Sequence, residues 1–384
     1  MRLLLPIVAA AMILFVLSVG QENAQAVPYF ARKYKMGCTT CHVIPPKLNQ
    51  FGENFLARGY RMAEAPSLEK SEKTWPFAVW ATWRGQWDAS RDRGRGLPNR
   101  VEIISGGPLG RTRVFYFVEW LPVSQEVGSN NTRVERHGRF EDLFVSLPLG
   151  SAYLTIGQFR ALAQVDVSRR LSLSEPLAFS TGLAGERART GRLTALRSFS
   201  LSGRSPAIRL SHHWVRGPRR ADGWYNSVTL PFAGEWVIPL NSRVHRERGF
   251  EFELRPKGAL LESYYRHGLS SFGGHAFLGG DRRLFGLVGA YNFGPFFSTA
   301  AVGFARERTG QKDTRFSWEN EIIPTRWLAL GLRVDDRTGP GRPAALIPHV
   351  NVEFPLTSYT VRITAEHRQQ RASRQWLLEV GVVF

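Results

Sequence analysis

Over residues 74–384 the chain keeps up a period-two alternation of apolar and polar side chains, in segments of roughly ten residues broken by Gly/Pro turns and Arg-rich loops. Alternation sustained over that length commits a chain to strands with two unlike faces. In the final segment Trp376, Leu378, Val380, Val382 and Phe384 are all apolar. Val361, Ile363 and Ala365 alternate with Thr360, Arg362, Thr364 and Glu366; Phe250, Phe252 and Leu254 oppose Glu251, Glu253 and Arg255; Phe316 and Trp318 oppose Arg315, Ser317, Glu319 and Glu321. Charges of both signs on one face call for a polar lumen rather than a packed sandwich interior. No internal repeat of fixed period is present, which removes the propeller signature. The expected fold is therefore mainly β, a transmembrane antiparallel β-barrel.

Turn spacing gives the strand count, because outer-membrane barrels alternate short periplasmic turns with longer outer loops. The short links are Gly106 to Arg111, Pro148-Leu149-Gly150, Pro256-Lys257-Gly258, Gly294-Pro295, Pro324-Thr325 and Pro355-Leu356-Thr357. The parity closes if Leu162 to Ser205 is one long excursion and Arg216 to Gly223 is a turn, which predicts about 16 strands with both ends periplasmic. About 14 is the alternative, since Thr229 to Arg243 is ambiguous. The excursion is either a constriction folded into the barrel or a plain outer loop.

Met1 to Ala26 carries one early Arg2, an apolar run from Leu3 to Val19 and an Ala24-Gln25-Ala26 site, the pattern of a secretory signal peptide ending at residue 26. No apolar run of transmembrane-helix length occurs beyond it, which excludes a polytopic helical membrane protein. The net charge of +19 is compatible with nucleic acid, acidic lipid or an anionic solute. Export argues against nucleic acid as the partner.

Only two cysteines are present, in Cys38-Thr39-Thr40-Cys41-His42. CxxCH is the attachment signature of a c-type haem. Two thiols three positions apart reach the two vinyl groups on one porphyrin edge, and the following His42 presents its imidazole to the iron. A thioredoxin-like CxxC should follow a core strand, and Pro28 to Lys35 offers none; an ordinary disulfide is the other reading. One covalent haem c is thus expected, with Cys38 and Cys41 as anchors and His42 as proximal ligand. Met62 is the local candidate for the distal ligand, against a histidine from elsewhere, water or no ligand. The segment 27–73 is too short to build a core unaided, so the haem is expected to lean on the barrel or on a partner.

Phe30-Ala31-Arg32-Lys33-Tyr34, the CxxCH, Pro46-Lys47-Leu48-Asn49 and Phe51-Gly52, followed by Phe55 and Gly59-Tyr60, resemble the N-terminal block of fused cytochrome–porins, whose best-known members are the iron-oxidising outer-membrane cytochromes. The resemblance implies three units: a leader (1–26), a monohaem cytochrome c segment (27–73) and an outer-membrane barrel (74–384). It further implies a haem at or inside the periplasmic mouth. That haem would move electrons between an extracellular donor or acceptor, Fe(II) among them, and a periplasmic carrier, in contact with outer-membrane lipid. Its field of +19 repels free Fe2+ and attracts anionic chelates.

The competing expectation is an anion-selective diffusion porin with the haem segment as plug or sensor, motivated by Arg91/Arg93/Arg95, Arg187/Arg189/Arg192 and Arg219/Arg220 in predicted loops and turns. Those arginines also suit lipid phosphates. Other constellations are weaker. His212 and His213 are adjacent on a predicted strand and point to opposite faces. His349 shares its polar face with Asn351 and Glu353 but has no second ligand at suitable spacing. Glu319/Glu321 and Asp335-Asp336 suit a cation or an ordinary lumen wall.

Overall fold

A computed structural model describes residues 29–34, 36–57, 60, 77–90, 92–109, 112–127, 133–135, 138–162, 170–174, 176–179, 204–215, 222–236, 250–280, 282–307, 310, 312–338, 344–355, 360–370 and 373–383. The leader 1–26, Met62 and the clusters Arg187/Arg189/Arg192 and Arg219/Arg220 lie outside the described residues, as does Arg91.

Two short strands, β1 (His42–Ile44) and β2 (Lys47–Leu48), belong to the N-terminal segment. The wall is built from β3 (Ala78–Asp88), β4 (Arg93–Pro108), β5 (Phe115–Val127), β6 (Arg133–Glu135), β7 (Arg139–Leu149), β8 (Ala152–Arg160), β9 (Arg204–Val215) and β10 (Gly223–Trp236). It continues through β11 (Phe250–Pro256), β12 (Gly258–His267), β13 (Ser270–Gly279), β14 (Arg282–Phe293), β15 (Phe296–Glu307) and β16 (Lys312–Thr325). It ends with β17 (Leu328–Thr338), β18 (Ala345–Pro355), β19 (Thr360–Gln370) and β20 (Ser373–Val383). All pairings in the wall are antiparallel, and β20 returns to β3, so the barrel is closed. Because β6 and β7 share the partner β5, and β11 and β12 share β10, the described strands form sixteen staves.

The burial pattern is inverted relative to a water-soluble protein. On β16, Arg315, Ser317, Glu319 and Glu321 are buried while Phe316 and Trp318 are exposed; on β19, Thr360, Arg362, Thr364 and Glu366 face in. Leu287, Phe285, Trp376 and Trp214 face out. A closed wall leaves no backbone group unpaired, and an apolar outer surface with a charged lumen is what a bilayer requires. Side chains of 250–255 lie outside the described ones, so the alternation read there has no counterpart here.

Two predicted turns are corrected. Pro256-Lys257-Gly258 is an irregularity inside a stave: Lys257 N donates to the Pro231 carbonyl at 2.8 Å, and Pro256 and Leu260 both pair with β10. The reversal falls instead at Gly268-Leu269, where Gly268 takes φ 58°, a left-handed position that suits glycine. Pro324-Thr325 belongs to β16, and the chain turns at Arg326-Trp327; the β15 ladder ends at Ile322, so the missing proline N–H costs nothing there.

The lumen is occupied from two directions. Residues 29–57 form α1 (Tyr29–Tyr34), α2 (Cys38–Cys41), β1, β2 and α3 (Gln50–Ala57). They seat at the mouth with the short turns: Lys33, Phe30 and Tyr29 crowd Gly107, and Ile44 packs with Phe297, Ile323 and Ala329. From the link between β8 and β9, residues 170–174 and 176–179 reach the opposite wall. Leu173 N and Ser174 N donate to Glu366 Oε2 at 2.8 and 3.0 Å, Asn351 Nδ2 donates to the Leu171 carbonyl at 2.8 Å, and Arg333 Nη1 donates to Ser174 O at 2.8 Å. The predicted excursion is therefore a constriction along its described part.

The outward face generates a direct test. Leu287→Arg, in the middle of β14, should cost about 2–4 kcal/mol when folding is followed by urea titration in lipid vesicles; a cost within about 0.5 kcal/mol would mean that this face meets water.

Candidate functional site

Asn49 organises the CxxCH turn. Its backbone N–H bonds the Cys41 carbonyl at 2.9 Å, and its side-chain amide donates to the carbonyls of Thr39 and Thr40 at 3.0 Å each. Its Oδ1 accepts from Gly52 N at 3.0 Å, so one residue closes the end of α2 and caps the start of α3. Gly52 is forced by this junction, because a Cβ there would lie 2.1 Å from the Cys41 carbonyl oxygen.

Two buried ion pairs fasten this unit to the wall. Glu53, the one acid on the buried face of α3, pairs with Arg266 of β12, and Lys47 of β2 pairs with Glu321 of β16. Arg32 donates to the Phe77 carbonyl at the start of the wall. An aromatic cluster completes the contact: Tyr60 stacks between Phe30, at 5.0 Å, and Phe117 of β5, at 5.6 Å, while Phe55 meets Phe30 and Tyr34 edge-on.

Between segment and wall lies a cavity of about 520 Å3, within the range of small-molecule and cofactor sites. Cys38, Cys41 and His42 all line it, and the two cysteines form no disulfide. The side across from Cys38 is aromatic and carries charges of both signs, with Tyr225 and Tyr264 stacked at 4.9 Å, Phe144, Phe159, Arg209 and Glu262. His213 of β9 also lines it, 4.7 Å from the Tyr225 ring. Sequence reasoning missed His213; as predicted, it points away from His212, but its inward direction follows only from the register of β9. Met36, two residues before Cys38, lines the same cavity.

The electrostatics suit ligation better than thiol redox chemistry. Burial pushes both thiols up to about 11, with the Glu353 carboxylate adding to the effect at Cys38. A redox-active CxxC works through a lowered pKa, and α2 follows no core strand. Burial lowers His42 to about 4, which keeps its imidazole neutral, the form that binds metal. His42 Nδ1 lies 3.1 Å from the Pro46 carbonyl, which can only accept, so the proton sits on Nδ1 and Nε2 carries the lone pair. The donor set therefore fits a covalent haem. Met62, the predicted distal ligand, lies outside the described residues.

Elsewhere in the lumen, Arg204 bonds three carboxylates, with Nη1 to Glu141 at 2.6 Å, Nε to Asp142 at 2.9 Å and Nη2 to Glu119 at 3.1 Å. Arg84 and Asn99 bond Glu379 at 2.5 and 3.1 Å. Asp335 bonds Ser317 and Arg333, while its sequence neighbour Asp336 is exposed, so the adjacent acids do not form a pair.

No family model and no curated protein matches the sequence. Solved structures do match. The anion-selective porin from Comamonas acidovorans superposes with a TM-score of 0.50 at 12% identity, over 80% of this chain and 97% of that one. Salmonella typhi OmpF in complex with daunomycin gives 0.52 at 8% identity, over 80% and 97%. The barrel has a porin fold. At such identities the likeness carries the architecture and no ligand.

Two tests follow from this porin-like barrel and its docked segment. Glu53→Ala leaves Arg266 buried without its carboxylate and should weaken docking by about 3–5 kcal/mol, read as faster proteolytic release of the segment from an intact barrel. In chains carrying free thiols, alkylation at pH 8 should run on the order of 100-fold slower than for an unperturbed cysteine and accelerate as pH rises toward the raised pKa, because only the thiolate reacts.

Proposed function

We propose that this porin-like barrel is an outer-membrane electron conduit of a Gram-negative cell, in which the N-terminal segment carries one covalent haem c inside the periplasmic mouth. The observation that carries the reading is the convergence of Cys38, Cys41 and His42 on one cavity walled by the barrel. The motif alone promises an attachment site; the cavity supplies room and an apolar, water-poor surrounding for the ring.

When bound, haem supplies one-electron exchange at its iron. The chain does the rest. Cys38 and Cys41 would hold the ring by thioethers and His42 Nε2 would bind the iron, while the Pro46 carbonyl holds the imidazole through Nδ1. Stacked Tyr225 and Tyr264 would lower the local dielectric around the ring, which would tune its potential. His213 and Met36 stand beside Met62 as candidates for the sixth position. The electron donor or acceptor lies outside, with Fe(II) as the donor that the resemblance suggests, and the periplasmic carrier approaches the short-turn mouth.

A second reading, an anion-selective porin with the segment as a plug, is supported by the fold comparison and by the arginines of the lumen wall. Planar-bilayer recording separates the two: a plugged conduit gives little steady conductance, a diffusion porin a large and anion-biased one.

The deciding experiment is a reduced-minus-oxidised spectrum of outer-membrane protein with haem staining after denaturing electrophoresis. The conduit reading expects a stained band with a sharp c-type α band that disappears in Cys38→Ala. A stained band that persists in that variant, or an unstained wild-type band, overturns it. Failure of both free and chelated Fe(II) to reduce the haem would remove iron as the donor and leave the conduit.

A further inference from the structure

We propose that Glu319, Glu321 and His349 form a site for one divalent first-row transition metal in the lumen wall. The site uses no haem-binding residue and stands or falls independently of the conduit reading.

The three residues come from strands separated by β17. Glu319 and Glu321 share the inward face of β16, and His349 faces inward from β18. In register, Glu321 pairs with Gly331, and Gly331 pairs with His349. A Cβ at position 331 would lie 2.0 Å from His349 Nε2. The imidazole therefore lies across β17 in the space that any other residue would fill. Its Nε2 comes 3.6 Å from Glu319 Oε1 and 3.7 Å from Glu321 Oε1.

Those three atoms lie within 4.8 Å of one another. Each is fully buried, and none of them has a hydrogen-bond partner. The other atoms of the same groups are used. Glu321 Oε2 pairs with Lys47, and His349 Nδ1 faces the Ile347 carbonyl at 3.5 Å. A carbonyl only accepts, so one ring proton belongs on Nδ1, and Nε2 faces two carboxylate oxygens. That arrangement calls for a cation between them, either a second proton on the ring or a metal ion.

The spacing suits such an ion. Donors about 2.1 Å from a tetrahedral metal are about 3.4 Å apart, close to the two separations found. One imidazole with two carboxylates selects Zn2+, Fe2+, Co2+ or Mn2+ over Ca2+ and Mg2+, which take oxygen alone. Two carboxylates neutralise the ion. Arg333, whose Nη1 lies 3.9 Å from Glu319 Oε1, is already held by Ser172, Ser174 and Asp335.

The test uses the full chain in detergent with Co2+ as probe, read by its d–d absorption, and Zn2+ as competitor. Wild type should take up one equivalent, and Zn2+ should displace it. Glu319→Gln and His349→Ala should each lower affinity by about 100-fold or more, beyond the roughly 10–100-fold typical of outer-shell changes. Gly331→Ala, which keeps all three ligands, should weaken binding too because its methyl displaces the ring. Variants are compared only where the β-sheet circular dichroism is retained, and Glu319→Gln, being isosteric, secures at least one such comparison. Absence of uptake by wild type, or unchanged affinity in folded Glu319→Gln or His349→Ala, overturns the proposal and assigns His349 as an imidazolium bridging the two carboxylates.

Discussion

Charge burial inside a closed wall is the constraint on which the rest of this molecule depends. Once sixteen staves shut, the inward side chains covered by the docked segment and the constriction must find their partners in the lumen, because those fillings take the place of water. The N-terminal segment exploits that demand. Its Lys47 and Glu53 are themselves nearly inaccessible, and the wall presents Glu321 and Arg266 to receive them. Pairs of this kind add little net stability against an apolar alternative, but either partner left alone is costly. They therefore specify one docking pose, and the aromatic contacts around Tyr60 supply the adhesion.

The same economy governs the constriction. Residues 171–174 and 176–178 form little regular structure, so their backbone groups need partners from elsewhere. Glu366, Asp335, Ser317 and Asn351 provide them from β16 to β19. Much of the wall's charge thus belongs to an internal scaffold, and the net +19 of the whole chain is a poor guide to what the lumen attracts.

The barrel was legible in the sequence because alternation is a local property, and the stave count followed from turn parity. What misled was punctuation. Pro256-Lys257-Gly258 has the composition of a turn, yet Pro and Gly serve irregularities within a strand as well, and only pairing with β10 distinguishes them. The CxxCH was equally plain, since its chemistry is written in consecutive residues. The cavity around it was not, because Tyr225, Tyr264 and His213 arrive from strands about 170 to 220 residues away along the chain. His349 is the sharpest instance: it looks alone in sequence, and its neighbours Glu319 and Glu321 become visible only through the register of β17.

The position of the two thiols also orders events in time. Cys38 and Cys41 are half-buried and open onto a space between their own segment, the aromatic cluster and the barrel wall. A small molecule enters such a space more readily than a second protein does. An enzyme acting on these cysteines would therefore meet them best before the segment docks, so that any covalent modification would come ahead of docking and not after it.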